Sequence, residues 1–208
     1  MKPLDIRRWL KCAVFVASVI IVAPLAAVVW FEKRVLGVRV LFAGLGQLLA
    51  LIPGMPGAWL RGAYYFGTLE ACSWETHVGF GSLFMHRGAA LGRRSSMGAY
   101  CVIGHARIGA DVMIASRVSI PSGKRQHLDD SGNLTSAARF DTVSIGDHTW
   151  VGEGAIILAD VGRGCIVSAG AVVLKEVPDA CLVGGNPARV IKNLGESGAD
   201  AASEPGMG

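Results

Sequence analysis

The chain has 208 residues, the length of one folded domain with an appendage. It is 51% hydrophobic yet carries 28 glycines, which excludes an ordinary soluble helical protein. The net charge of +4 comes without any run of Lys or Arg interleaved with aromatics, so a nucleic-acid groove is excluded as well.

The first predicted element is a membrane segment. Residues 12–31 read CAVFVASVIIVAPLAAVVWF, twenty residues without a charge, about the 30 Å of a bilayer core at 1.5 Å per residue. A cleaved signal would have a shorter apolar stretch and a small-residue cleavage site. This one is long and ends in Trp30, Phe31, Glu32, Lys33 and Arg34, so retention is expected, giving an anchor over 1–34. Lys2, Arg7, Arg8 and Lys11 precede it, and Lys33, Arg34 and Arg39 follow it, so both flanks favour the cytoplasmic face. A bend at Pro24 would bring both ends out on one side, and a plain kinked span is the alternative. Five separated cysteines (Cys12, Cys72, Cys101, Cys165 and Cys181) contain no CxxC and suit reduced thiols on the cytoplasmic side.

Residues 35–77 form a connector. Its apolar part, 40–52, is too short to span, stops at Pro53-Gly54 and Pro56-Gly57, and reads as an interfacial helix or the second arm of a hairpin.

From Val78 the chain has a period of six, touching Phe84, Ala90, Ser96, Val102, Ile108, Ile114 and Ile120. A second block runs through Ile145, Val151 and Ile157, then, after a step two residues short, Val161, Val167 and Val173. Six matches neither a helix nor a simple strand. It suits a short strand and a turn on each flat side of a parallel β-helix, with aliphatic side chains on the axis. The predicted class is an all-β solenoid over 78–194, preceded by N-terminal membrane helices.

The stretch 145–192, with SAGAVV, KEVP and GGNPARVIK, closely resembles the C-terminal half of left-handed β-helix acyltransferases of the hexapeptide-repeat superfamily, and the resemblance extends over 78–192. It implies a left-handed parallel β-helix, a homotrimer, and transfer of an acyl group from acyl-coenzyme A, acetyl-coenzyme A in particular, to a hydroxyl or amine of a saccharide or lipid-linked glycan.

Between the two blocks lies a polar excursion, 121–142, of a length unusual for a loop without function. It holds His127 in SGKRQH, the position that matches the family's catalytic histidine. A saccharide hydroxyl must lose its proton as it attacks a thioester, and a positioned imidazole can take it directly, without a covalent enzyme intermediate. For the donor, Trp150 and the run Ser168, Ala169 and Gly170 match positions bordering the pantetheine arm. Lys175 and Arg189 match basic positions near the coenzyme A phosphates. Glu153, Asp129 and Asp130 are candidates to orient His127, and Arg87, Arg93 and Arg94 form a loose basic group facing headgroups or a pyrophosphate-linked acceptor.

Two other readings stand beside this one: a non-catalytic anchored scaffold, and a carbonic-anhydrase-like metalloenzyme. The second needs converging histidines, and His77, His86, His105 and His148 contain no HxxxxH or HxH pair, so no metal is expected. The tail, 195–208, lacks large apolar side chains except Met207 and is expected to be flexible.

Overall fold

The structure, a computed structural model, describes residues 3–36, 40–129, 131–136 and 139–195. Lys2, Arg39, Asp130 and the expected flexible tail from 196 lie outside the described residues.

Helix α1 (Pro3–Phe31) runs continuously through Pro24, and a π-helical turn, Glu32–Leu36, follows it. The chain therefore does not fold back at the proline, and the expected bend there is corrected. Within this stretch Arg8–Val35 is long and apolar enough to cross a membrane. Helix α2 (Val40–Ala50) ends before Pro53, as its sequence suggests. Residues 53–57, expected only to stop a helix, also start one: α3 (Gly54–Thr68) has Pro56 in its first turn, where the missing N–H has no intrahelical partner to lose.

The two ends of α2 are met by two buried charges far from it in sequence. The Glu32 carboxylate accepts the Leu41 amide (2.7 Å) and the Phe42 amide (3.3 Å), two N–H groups that the first turn leaves free. At the other end Arg61, 1% exposed, donates from Nη1 to the Leu49 and Ile52 carbonyls (3.1 and 2.8 Å) and from Nε to Val78 (3.0 Å). An anion at the N-terminus and a cation at the C-terminus both complement the helix dipole. Gly57 makes room for this arrangement, since a Cβ there would stand 1.9 Å from the Ile52 carbonyl oxygen.

Above the helices the chain coils into a three-sided prism of about six turns. Face A holds β1 (Ala71–Cys72), β4 (Ala90–Leu91), β7 (Ala106–Ile108) and β10 (Val143–Ile145), continued by the single-residue bridges of Val161 and Val177. Face B holds β2 (His77–Val78), β5 (Ser96–Met97), β8 (Met113–Ile114), β11 (Trp150–Val151), β13 (Ile166–Val167) and β15 (Cys181–Gly185). Face C holds β3 (Leu83–Phe84), β6 (Val102–Ile103), β9 (Ser119–Ile120), β12 (Ile156–Ile157) and β14 (Val172–Val173). All pairings between these coils are parallel, and β16 (Ala188–Asn193) closes the far end by folding antiparallel onto β15.

Stacked partners are 19 residues apart at first (Val78 and Met97), then 17 (Met97 and Ile114), 37 across the excursion (Ile114 and Val151), and 16 thereafter (Val151, Val167, Val183). The second block of the six-residue pattern is accordingly all inward: Ile145, Val151, Ile157, Val161, Val167 and Val173 are buried. The first block slips. The axis is filled by Leu91, Met97 and Ile103, while Ala90 and Ser96 are only half-buried and Val102 is 44% exposed, so these three expected core positions are corrected. A seven-residue step from Phe84 to Leu91 displaces the phase, and a five-residue step from Ile103 to Ile108 restores it.

Corners fall in the left-handed backbone region at equivalent places on successive coils: Gly81, Tyr100, Arg117, Gly154 and Gly170 between faces B and C. Small inward groups bridge the coils at the corners between faces A and B. Ser95 Oγ donates to the Gly109 carbonyl (2.7 Å) and accepts the Val112 amide (3.0 Å), and Thr149 Oγ1 does the same for Gly162 and Cys165. At the base, α2 and α3 plug the open coil with Phe42, Tyr64 and Tyr65, the last packed 4.9 Å from the Phe84 ring. A solenoid needs such a lid because its terminal repeat has no neighbour to cover its core.

Candidate active site

The stack is interrupted where face C of the third coil should turn to face A. Here the chain leaves for 121–142 and returns through a pinched root. The buried Ser122 Oγ accepts the His105 amide (2.8 Å), Asp141 donates its amide to the Ser122 carbonyl (3.2 Å), and Gly123, at φ +78°, packs against Asp141. The excursion has structure of its own. Leu128 and Leu134 form an antiparallel bridge, and the Thr135 amide donates to the His127 carbonyl (2.9 Å). Asp129 Oδ1 closes the turn by accepting the Ser131 and Asn133 amides (2.9 and 2.8 Å). His127 is exposed on this small hairpin. Lys124 Nζ reaches the Leu174 carbonyl (3.2 Å), which holds the base of the loop against the fifth coil.

Two imidazoles lie beneath the root. The His86 and His105 rings are in contact, with centroids 4.3 Å apart and planes tilted by 37°, Phe140 of the loop lies 5.5 Å from His86, and Thr142 Oγ1 is 3.2 Å from His105 Nδ1. His86 Nδ1 accepts the Gly88 amide (3.1 Å). A search for closely spaced histidines misses this pair because its members are one coil apart. Their 19-residue separation, equal to the first coil length, is the signal that finds them. Among the described residues no three His, Cys, Asp or Glu side chains converge as metal ligands.

The expected donor residues divide between two corners. Trp150, 45% exposed, stands on face B between Met113 below and Ile166 above. Gly152, just after it, packs against Ala169, where an added Cβ would stand 2.5 Å from the Ala169 nitrogen. Ser168, Ala169 and Gly170 turn from face B to face C, with Gly170 at φ +68° donating its amide to the Glu153 carbonyl (2.8 Å). Arg189 is exposed on β16 opposite Gly184, the glycine that also borders Ser168. These four elements share one end of one edge. Lys175 is elsewhere: it follows Leu174 on the edge that carries the excursion, beside the carbonyl that Lys124 holds. Within one protomer the loop of His127 and the Ser168–Arg189 edge are separated by the width of face C.

The other sequence candidates are placed as follows. Glu153 pairs with Arg117 at 2.5 Å on the B–C corner, and Asp129 serves its own turn, so neither is set to orient His127. Arg87, Arg93 and Arg94 do not form one basic group. Arg87 donates to the Val29 carbonyl of α1 (3.0 Å) and lies over the Phe42 ring, while Arg94 is bidentate to Asp111 (2.6 Å for each bond) at a different corner. The reason is their spacing: the seven residues from Arg87 to Arg94 cross face A.

Three solved structures superpose on most of the chain. A maltose O-acetyltransferase from Clostridium difficile matches with a TM-score of 0.64 and 22% identity, covering 78% of this chain and 90% of its own. The fold is that of the hexapeptide-repeat acetyltransferases. A hexapeptide-repeat-containing acetyltransferase from Vibrio cholerae matches with a TM-score of 0.58 and 21% identity, over 73% of this chain and 88% of that one. A galactoside acetyltransferase in complex with coenzyme A matches with a TM-score of 0.56 and 18% identity, over 76% and 82%. With this fold the prism is a left-handed β-helix, as the resemblance of 145–192 implies. No protein-family model matches the chain, and no curated protein matches it in sequence.

Proposed function

We propose that the protein is an acyl-coenzyme A-dependent O-acyltransferase that uses acetyl-coenzyme A and acylates a saccharide or lipid-linked glycan at the cytoplasmic face of a membrane. The observation that carries this reading is a structured, histidine-bearing hairpin inserted at one corner of an otherwise closed stack. The shared fold of a maltose O-acetyltransferase and of a coenzyme A-bound galactoside acetyltransferase supports the choice of reaction.

In the proposed step His127 accepts the acceptor's hydroxyl proton on a ring nitrogen. The freed oxygen attacks the thioester carbonyl, the C–S bond breaks, and the proton passes on to the leaving thiolate, so no covalent enzyme intermediate is required. Ser168, Ala169 and Gly170 offer small side chains and backbone groups to the pantetheine arm, with Trp150 beside them and Lys175 and Arg189 meeting phosphates. Because His127 and the Ser168–Arg189 edge are on different edges of one protomer, the site is assigned to the cleft between neighbours in a homotrimer, each subunit giving one edge.

The test is transfer by the purified full chain in detergent, with acetyl-coenzyme A and a panel of mono- and oligosaccharides, following free thiol and acetylated product together. Product formation with at least one saccharide is expected. Absence of transfer to every saccharide, with donor hydrolysis no faster than the blank, overturns the assignment.

A further inference from the structure

We infer that α1 does not cross the bilayer but lies along one leaflet, forming with α2 and α3 an apolar platform on which the β-helix stands. This inference rests on the membrane part of the proposed function and adds the mode of attachment.

Both ends of the apolar stretch are held at the level of the first coil. Near its start, the Phe15 ring packs 5.2 Å from Phe66 of α3 and 6.0 Å from Trp74, in the turn between β1 and β2. Near its end, the Val29 carbonyl accepts Arg87, in the turn between β3 and β4 of the same coil. Fourteen residues separate these anchor points, a distance of about 21 Å along a helix. If α1 stood along the bilayer normal, the first coil would extend through two thirds of the hydrocarbon. That coil exposes Glu70, Glu75 and His77, and charged groups are costly there. Laid flat, the same helix keeps the coil in water.

The surface left over suits a lipid leaflet. Along α1, Leu10, Val16, Ile20 and Phe31 are exposed, and Leu51 and Trp59 add exposed apolar area at the same end of the β-helix. Trp9 and Trp30, both exposed, mark the two ends of the stretch, as interfacial aromatics do. Exposed Arg8, Lys11, Lys33 and Arg34 flank it and complement anionic headgroups.

The test is a depth profile in vesicles of phosphatidylethanolamine and phosphatidylglycerol. A nitroxide is placed on Cys12 of the unaltered chain, and on Ile20→Cys and Phe31→Cys in a Cys12→Ser background. Cys72, whose burial pushes the thiol up to about 11, and the buried Cys101, Cys165 and Cys181 give little background. Depth is read from oxygen and nickel accessibility. The expected result is three similar depths, all within about 10 Å of the headgroups. Ile20 near the midplane, about 15 Å deep, with Cys12 and Phe31 shallow, overturns the inference and leaves the membrane reading intact. No lipid contact at any position overturns the membrane reading itself. Impermeant maleimide on Pro3→Cys and Ser131→Cys in sealed vesicles adds an independent check: both are expected to react from one face, and reaction from opposite faces contradicts the in-plane helix.

Discussion

The helical base and the late coils hold their cores by different means. At the base, coherence comes from singular contacts: Arg61 against three carbonyls, Glu32 against two amides, and Phe42, Tyr64 and Tyr65 closing the prism. Burial pushes the Tyr65 hydroxyl up to about 12 and the Tyr64 hydroxyl higher still, so both stay protonated, Tyr64 donating to the Phe42 carbonyl and Tyr65 placed to accept the Phe84 amide. In the late coils nothing is singular. Each 16-residue turn repeats the last, with one aliphatic residue per face and a small buried group at the A–B and B–C corners. A repeat spreads its stability over many equal contacts, whereas a lid concentrates it in a few.

That contrast predicts where substitutions hurt. Arg61→Ala leaves the Leu49, Ile52 and Val78 carbonyls without their donor and opens a void, and should cost about 3 kcal/mol or more of stability. Thermal melts in detergent check it, and an unchanged midpoint would show that the base does not depend on this side chain. Glu32→Gln keeps the shape and removes the charge at the N-terminus of α2. About 1 kcal/mol should be lost, with a larger share of the loss at low salt. In the late coils Gly154→Ala places a methyl in open space at φ +69°, so only the backbone penalty of about 1 kcal/mol is felt. Ala180→Gly, at φ +52°, should move stability the other way by no more than that. Equal and large losses at all four positions would erase the distinction between lid and repeat.

The same contrast explains what could be read from the chain. Ile145, Val151, Ile157, Val161, Val167 and Val173 are legible because every coil there has one length, and even the short step before Val161 repeats before Val177. Leu91, Met97 and Ile103 are not, because a long corner and a short one cancel and a fixed step of six passes between them unnoticed. Helix α3 is hidden by a Pro-Gly cluster that belongs to its first turn. The pairing of Arg61 and Glu32 across α2 leaves no local signature at all, since each partner is backbone. Of the candidate site, the excursion and its histidine stand out as a break in phase. The paired His86 and His105 beneath it become visible only once the coil length is known.

As the proposed general base, His127 is expected to act in the chemistry and to support no part of the fold, and one paired measurement separates the two roles. Acyl transfer by purified His127→Ala and His127→Asn is measured beside calorimetric binding of acetyl-coenzyme A and a thermal melt. Transfer is expected to be lower by about 10² to 10⁴ in both variants, the range a positioned general base supplies, with donor affinity and melting midpoint close to those of the unaltered chain. Near-normal transfer in both variants would contradict it, and so would a loss of donor binding or of folding.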